Sequence, residues 1–165
     1  MTTDKATPEE LKTVADVLDK ARIGLLATVD EGGHLVSRPL AIVDRDFDGA
    51  VYFFVQKDSH KVHDIESEPE VNVGVETSKG WLSISGTATL SQDRATIDEL
   101  WNTGAEAWFD QGRDDPQVAL LKVDAHTVES WTSTEPKAVT LFKYAKAAAL
   151  GGHPENVGDN ETIAL

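Results

Sequence analysis

From Ile23 to Ser133 the chain repeats one pattern, a short run rich in Val, Ile, Leu, Phe and Thr followed by a break carrying Gly, Asp, Pro or Ser. Seven such runs are read as strands: Ile23 to Val29, Leu35 to Val43, Ala50 to Val55, Val71 to Glu76, Trp81 to Leu90, Val118 to Asp124 and Thr127 to Ser133. The breaks are mostly too short to hold a crossover helix. Asp30-Glu31-Gly32-Gly33 is turn chemistry, and so is Asp44 to Gly49. Parallel strands need connections of a dozen or more residues, so hairpin-linked strands with helices at the corners predict a mainly β, antiparallel barrel and argue against a doubly wound sheet.

The helices have their own signals. Thr7-Pro8-Glu9-Glu10 is a capping box with proline at the first helical position, and Leu11, Val14, Leu18 and Ala21 follow at helical spacing, which predicts a helix from Pro8 to Lys20. Ser59 opens a second helix that runs to about Ser67, where Pro69 forbids continuation. Ser91 is expected to cap a third through Trp101. A last helix is expected over Lys137 to Leu150, stopped by Gly151-Gly152, with a polar, loosely held tail over 151–165. The 165 residues are expected to form one domain.

Charge and cysteine content remove whole classes of function. Twenty-nine acids against fifteen bases give a formal charge of −14, which repels nucleic acid and anionic membrane. One phosphate can still be held locally, because salt screens distant acids beyond roughly 8 to 10 Å. With no cysteine there is no thiol catalysis, disulfide or thiolate metal site. No apolar run approaches the roughly 20 residues of a membrane span. A cytoplasmic location is the resulting expectation.

One segment has the outline of an anion site. Phe53-Phe54-Val55-Gln56-Lys57-Asp58-Ser59-His60-Lys61 runs from an apolar strand through a polar turn into a helix, and it places Ser59 at the N-cap with Lys61 in the first turn. Free amides, a hydroxyl and a cation at a helix N-terminus suit a phosphate. Ser37-Arg38-Pro39-Leu40 adds a second cation on an earlier strand. Pro39 abolishes a ladder donor there, which marks an edge, a bulge or a ligand.

Other motifs carry less. Asp44-Arg45-Asp46-Phe47-Asp48-Gly49 imitates the start of a calcium loop, but the twelfth position is Val55 where a bidentate glutamate is required, and the segment reads as a turn. His60 and His63 share a helix face without a third ligand, so no metal site is expected. Trp101 and Trp131 read as core residues. Trp108-Phe109, in the irregular stretch between Gly104 and Gly112, reads as a packing plug, a subunit contact or a ligand wall. Gly-x-Ser-x-Gly, Gly-x-Gly-x-x-Gly and the Walker lysine are all absent.

In order and spacing these segments resemble the general stress protein branch of the pyridoxamine 5′-phosphate oxidase-like, FMN-binding split barrels. The resemblance runs from about Pro8 to Thr134 and rests on Ser37-Arg38-Pro39-Leu40, Ser59-His60-Lys61-Val62, Glu68-Pro69 with Val71-Asn72-Val73, and Trp81-Leu82-Ser83-Ile84-Ser85-Gly86-Thr87-Ala88. Asp114-Asp115-Pro116 and Val128-Glu129-Ser130-Trp131 also fit. It implies an antiparallel split β-barrel and a homodimer with two flavin sites at its interface. It further implies that Arg38, Ser59 and Lys61 hold the FMN phosphate, and that backbone around Pro39, Leu40, Phe54 and Val55 lines the isoalloxazine. Ser37, His60 and Trp108 complete the set of candidate cofactor contacts. The implied activity is that of a stress-linked, flavin-dependent oxidoreductase; a non-catalytic flavin reservoir or sensor and a deazaflavin-dependent reductase are the alternatives, and FAD is an alternative cofactor. Oxidation of pyridoxamine phosphate is not expected, because the oxidase has arginine at the position of His60 and a basic C-terminal segment that has no match here.

Overall fold

The computed structural model describes residues 6–132, 146 and 159–165. In chain order the elements are α1 (Pro8–Leu18), β1 (Ile23–Val29), β2 (Leu35–Ala41), β3 (Ala50–Gln56), α2 (His60–Ser67), β4 (Glu70–Thr77), β5 (Gly80–Ser91), α3 (Arg94–Leu100), α4 (Thr103–Glu106), a 3-10 turn (Gly112–Asp114), β6 (Val118–Thr132) and β7 (Asp159–Ala164). The strands pair antiparallel in the order β2-β1-β4-β5-β6-β3, and β7 joins β6 beyond the end of β3. The two ends of this path, β2 and β3, meet at one isolated bridge between Ile42 and Phe53, next to the bond from Val43 N–H to the Tyr52 carbonyl at 2.9 Å. This is an antiparallel split barrel, joined all round except along most of one seam.

Alternation along the strands fills the barrel. In β6, Ala119, Leu121 and Val123 face the main core with Leu26, Phe53, Val73 and Ile84, while Val118 and Leu120 face a second cluster with Ile97 and Phe109. Both faces of β6 are therefore covered, which explains its unbroken apolar start. Val14 and Val17 of α1 and Val62 and Ile65 of α2 complete the main core. The capping box at Thr7 forms as its sequence predicts, with Glu10 returning to the Thr7 N–H at 2.5 Å.

Four expectations are corrected. Trp131, read as a core residue, is 39% exposed and belongs to none of the core clusters. The two strands expected between Val118 and Ser133 are one strand, β6. Its register against β5 passes from Ser85–Thr127 to Gly86–Ala125, so His126 is the extra residue of a bulge. Gly86 permits the close approach, since a Cβ there would collide with the Asp124 carbonyl. The expected cap of α3, Ser91, yields to Asp93, whose carboxylate accepts the Thr96 N–H at 2.9 Å. Finally, the tail is not loose at its end: residues 159–164 pair with β6, Ile163 is buried in the main core, and the Ala6 N–H donates to the Ala164 carbonyl at 2.9 Å. Alternating Ile163 among polar residues is a half-buried strand pattern that local polarity concealed. The helix expected over Lys137 to Leu150 lies, apart from the helical Lys146, outside the described residues.

Candidate functional site

The site forms where the barrel fails to close. Between the facing edges of β2 and β3 lies a cleft of about 570 Å³. Pro39 and Leu40 line it from β2, Phe54 and Gln56 from β3, Lys61 from α2, and Asn102 and Trp108 from the segments around α4. The lining is mostly apolar with a few polar groups, the composition of a small-molecule site, and its size falls in the usual range of about 300–1,000 Å³. Pro39 is tolerated because β2 ends the strand path, where a missing ladder donor costs little.

The aromatic wall is braced from behind. Phe54 meets Trp101 edge-on at 5.3 Å between ring centroids, and Trp101 meets Phe109 at 5.9 Å. Phe109 is buried, so the sequence pair Trp108-Phe109 divides its work: Phe109 plugs the second core and Trp108 stands 75% exposed at the cleft. Asn102 fixes the start of α4 by accepting the Ala105 N–H at 2.9 Å.

At α2 the backbone behaves as the sequence predicts and the side chain does not. Ser59 occupies the N-cap with extended backbone, yet its hydroxyl makes no capping bond. That oxygen is buried and has no hydrogen-bond partner among the described residues. An unsatisfied buried hydroxyl costs about 1–3 kcal/mol, a cost that a bound acceptor or donor removes. Two residues on, burial and then the positive charge of Arg38 hold the Lys61 ammonium below the usual lysine range. No carboxylate among the described residues offsets these two effects. Two neighbouring cations and an orphan hydroxyl thus meet at a helix N-terminus, donors of the kind that an anion requires.

Arg38 reaches this corner because the β1–β2 hairpin pairs it with Leu26, which turns its side chain to the inner face. There it donates to the Thr28 hydroxyl at 2.5 Å and lies 3.5 Å from the Asp64 carboxylate, while the Thr28 hydroxyl donates to Asp64 at 2.9 Å.

Of the residues singled out from sequence, Pro39, Leu40, Phe54, Lys61 and Trp108 line the cleft, and Arg38 stands beside Lys61. Val55 turns into the main core, so only its backbone can face a ligand. Ser37 and His60 are exposed and do not line the cleft. Sequence reasoning missed Gln56 and Asn102 in the lining, and Thr28 and Asp64 behind Arg38. The hairpin register contained the signal for Thr28, since positions 26, 28 and 38 share one face once Val29 is set opposite Leu35. Asp64 was visible as an acid between Val62 and Ile65 on a buried helix face. No group of three or more His, Asp or Glu side chains placed to hold a metal ion exists among the described residues. None of the described helices is long and apolar enough to cross a membrane.

A split barrel whose open seam holds an apolar cleft with a cationic corner is the class of molecule these features define. The chain belongs to the pyridoxamine 5′-phosphate oxidase-like family, whose model matches residues 9–155, and within it to the general stress protein branch. General stress protein 26 of Bacillus subtilis (strain 168) is 30% identical over 134 residues, covering 78% of this chain and 92% of that protein. A solved structure from Jannaschia sp. CCS1, described as a candidate general stress protein 26, superposes with a TM-score of 0.74 at 26% identity and covers 96% of this chain and all of its own. The general stress FMN/FAD binding protein of Xanthomonas citri superposes with a TM-score of 0.67 at 29% identity, over 79% of this chain and 93% of that one.

Proposed function

We propose that this chain is a flavin-binding protein of the stress response that holds FMN in the cleft between β2 and β3. The phosphate is held by Arg38, Lys61 and the Ser59 hydroxyl, and the ring system lies against Pro39, Leu40, Phe54 and Trp108. The observation that carries this reading is the buried, unpartnered Ser59 hydroxyl beside two cations at one corner of an apolar cleft. The relative from Xanthomonas citri, described as binding FMN or FAD, supports a flavin over other phosphorylated ligands.

Bound flavin supplies hydride chemistry at its N5, and the protein's contribution is orientation and field. We assign an oxidoreductase activity on that basis. Pyridoxamine phosphate is not the expected substrate, because a second phosphate needs further cations, and the candidates Arg94 and Arg113 lie against acids, Arg94 at 3.0 Å from Asp114 and Arg113 at 3.9 Å from Asp98.

A second copy of the chain completes the proposal. Ile23, Leu25, Trp81 and Trp131 form an exposed apolar face, and Ile23 belongs both to this face and to the cleft, so a partner seated on the face would border the flavin. Titration with FMN and with riboflavin tests the site: FMN should bind at least about tenfold more tightly, the margin that a charge-assisted phosphate contact supplies. Equal affinities would remove the phosphate corner from the reading. Sedimentation of the FMN-loaded protein tests the dimer, and stopped-flow reduction by NADH or NADPH separates turnover from storage.

A further inference from the structure

We propose that Thr28 and Asp64 are positioning residues that set the Arg38 guanidinium for an incoming phosphate, an inference that rests on the cleft being a phosphate site. Thr28 is fully buried and Asp64 nearly so, which is unusual for a hydroxyl and a carboxylate unless both are engaged. They are engaged with each other and with Arg38. A hydroxyl has one proton, and at 2.9 Å the proton of Thr28 goes to Asp64. The lone pairs of the same oxygen then face Arg38, which has only donors and comes to 2.5 Å.

The guanidinium is thereby tethered through one nitrogen to Thr28 and through a second to Asp64 at 3.5 Å. A planar group held at two nitrogens has no free rotation, and at least three of its five N–H groups remain uncommitted to these two partners. The element that carries Asp64 also carries Lys61. The two are three residues apart on α2, so they lie on the same side of the helix. One helix therefore supplies one phosphate cation directly and fixes the other from behind. Without the tether Arg38, on an edge strand, would have a long side chain to order at the moment of binding, and that ordering weakens affinity.

Equilibrium titration with FMN and riboflavin, on the full chain, tests the tether. Thr28→Val keeps the shape and removes the hydroxyl; Asp64→Asn removes the charge; Thr28→Ser restores the hydroxyl. Thr28→Val and Asp64→Asn should each weaken FMN by about tenfold, as expected for losing orientation of a charge-assisted contact, with riboflavin within about twofold. Thr28→Ser should bind FMN like the wild type. In an Arg38→Met background the same substitutions should change FMN affinity less than about twofold, because they act only through Arg38. Unchanged FMN affinity, equal losses for both flavins, or tighter FMN in Asp64→Asn would each overturn the inference while leaving the cleft reading intact. If Thr28→Val fails to fold by circular dichroism, Asp64→Asn and its Arg38→Met cycle decide alone. A wild type that does not distinguish FMN from riboflavin would overturn both.

Discussion

The two long seams of this barrel have opposite characters. Along β5 and β6 the register runs from Gly80–Thr132 to Ser91–Leu120 with a single bulge, and the residues facing inward are apolar and buried. Between β2 and β3 there is one bridge, and beside it stand two cations, an orphan hydroxyl and a cleft. The zipped seam satisfies its own backbone and supplies stability. The open seam leaves polar groups to be satisfied from outside, which is how a fold keeps a place for a ligand without losing its core.

The largest expected effect tests the core flanking both seams. Phe53→Ala should lower unfolding free energy by about 3–5 kcal/mol in chemical denaturation, because Phe53 is fully buried at the closing bridge. A loss under about 1 kcal/mol would mean that the seam is already open in solution. Next, Arg38→Ala and Lys61→Ala should weaken FMN about tenfold or more, about 1.4 kcal/mol, and leave riboflavin nearly unchanged. Equal losses for the two flavins would place the phosphate elsewhere.

Ser59→Ala gives a smaller effect with an informative sign. Replacing an N-cap serine usually costs about 0.5–2 kcal/mol, but Ser59 makes no capping bond and its hydroxyl is unsatisfied. The ligand-free variant should therefore be as stable as the wild type or more stable by up to about 1 kcal/mol, while FMN weakens. Destabilisation in thermal melts would show that the hydroxyl finds a partner within the protein.

The smallest effect is on pH dependence. Lys61 has its pKa lowered by burial first and Arg38 second, so below that pKa the folded state carries the cost of keeping it charged. Between the lowered value and 10.5 the unfolded chain binds more protons, and the Lys61 contribution to ligand-free stability rises with pH. Over the same window the phosphate loses a cation, so the preference for FMN over riboflavin should fall with rising pH. Lys61→Arg should flatten that decline, since guanidinium does not titrate there.

Much of this was legible locally. The hairpins, the entry into α2 and the inward-facing strand positions follow from turn residues and alternation within a few positions of each other. The grouping of Arg38 with Ser59 and Lys61 could be suspected because Ser59 and Lys61 are near neighbours in sequence and Arg38 stands in a strand beside a proline. What lay beyond local pattern depended on long-range closure. The cleft exists because Ile42 and Phe53 bridge and their neighbours do not, and no single segment encodes that gap. Ala125 and His126 looked like a break between two strands because a bulge needs its partner, Gly86, to be recognised. The exposure of Trp108 against the burial of Phe109 likewise depends on which side the second core lies.

The late arrival of β7 bears on how such a chain is made. On a ribosome, β6 emerges well before the strand that covers its Thr127–Thr132 edge, with residues 133–158 between them. At translation speeds of about 5–20 residues per second that edge stays bare for on the order of seconds. A bare edge is a template for pairing with another nascent chain. Glu129, exposed between the buried Val128 and Ser130, is a charge of the kind that discourages such pairing until residues 159–164 are synthesised.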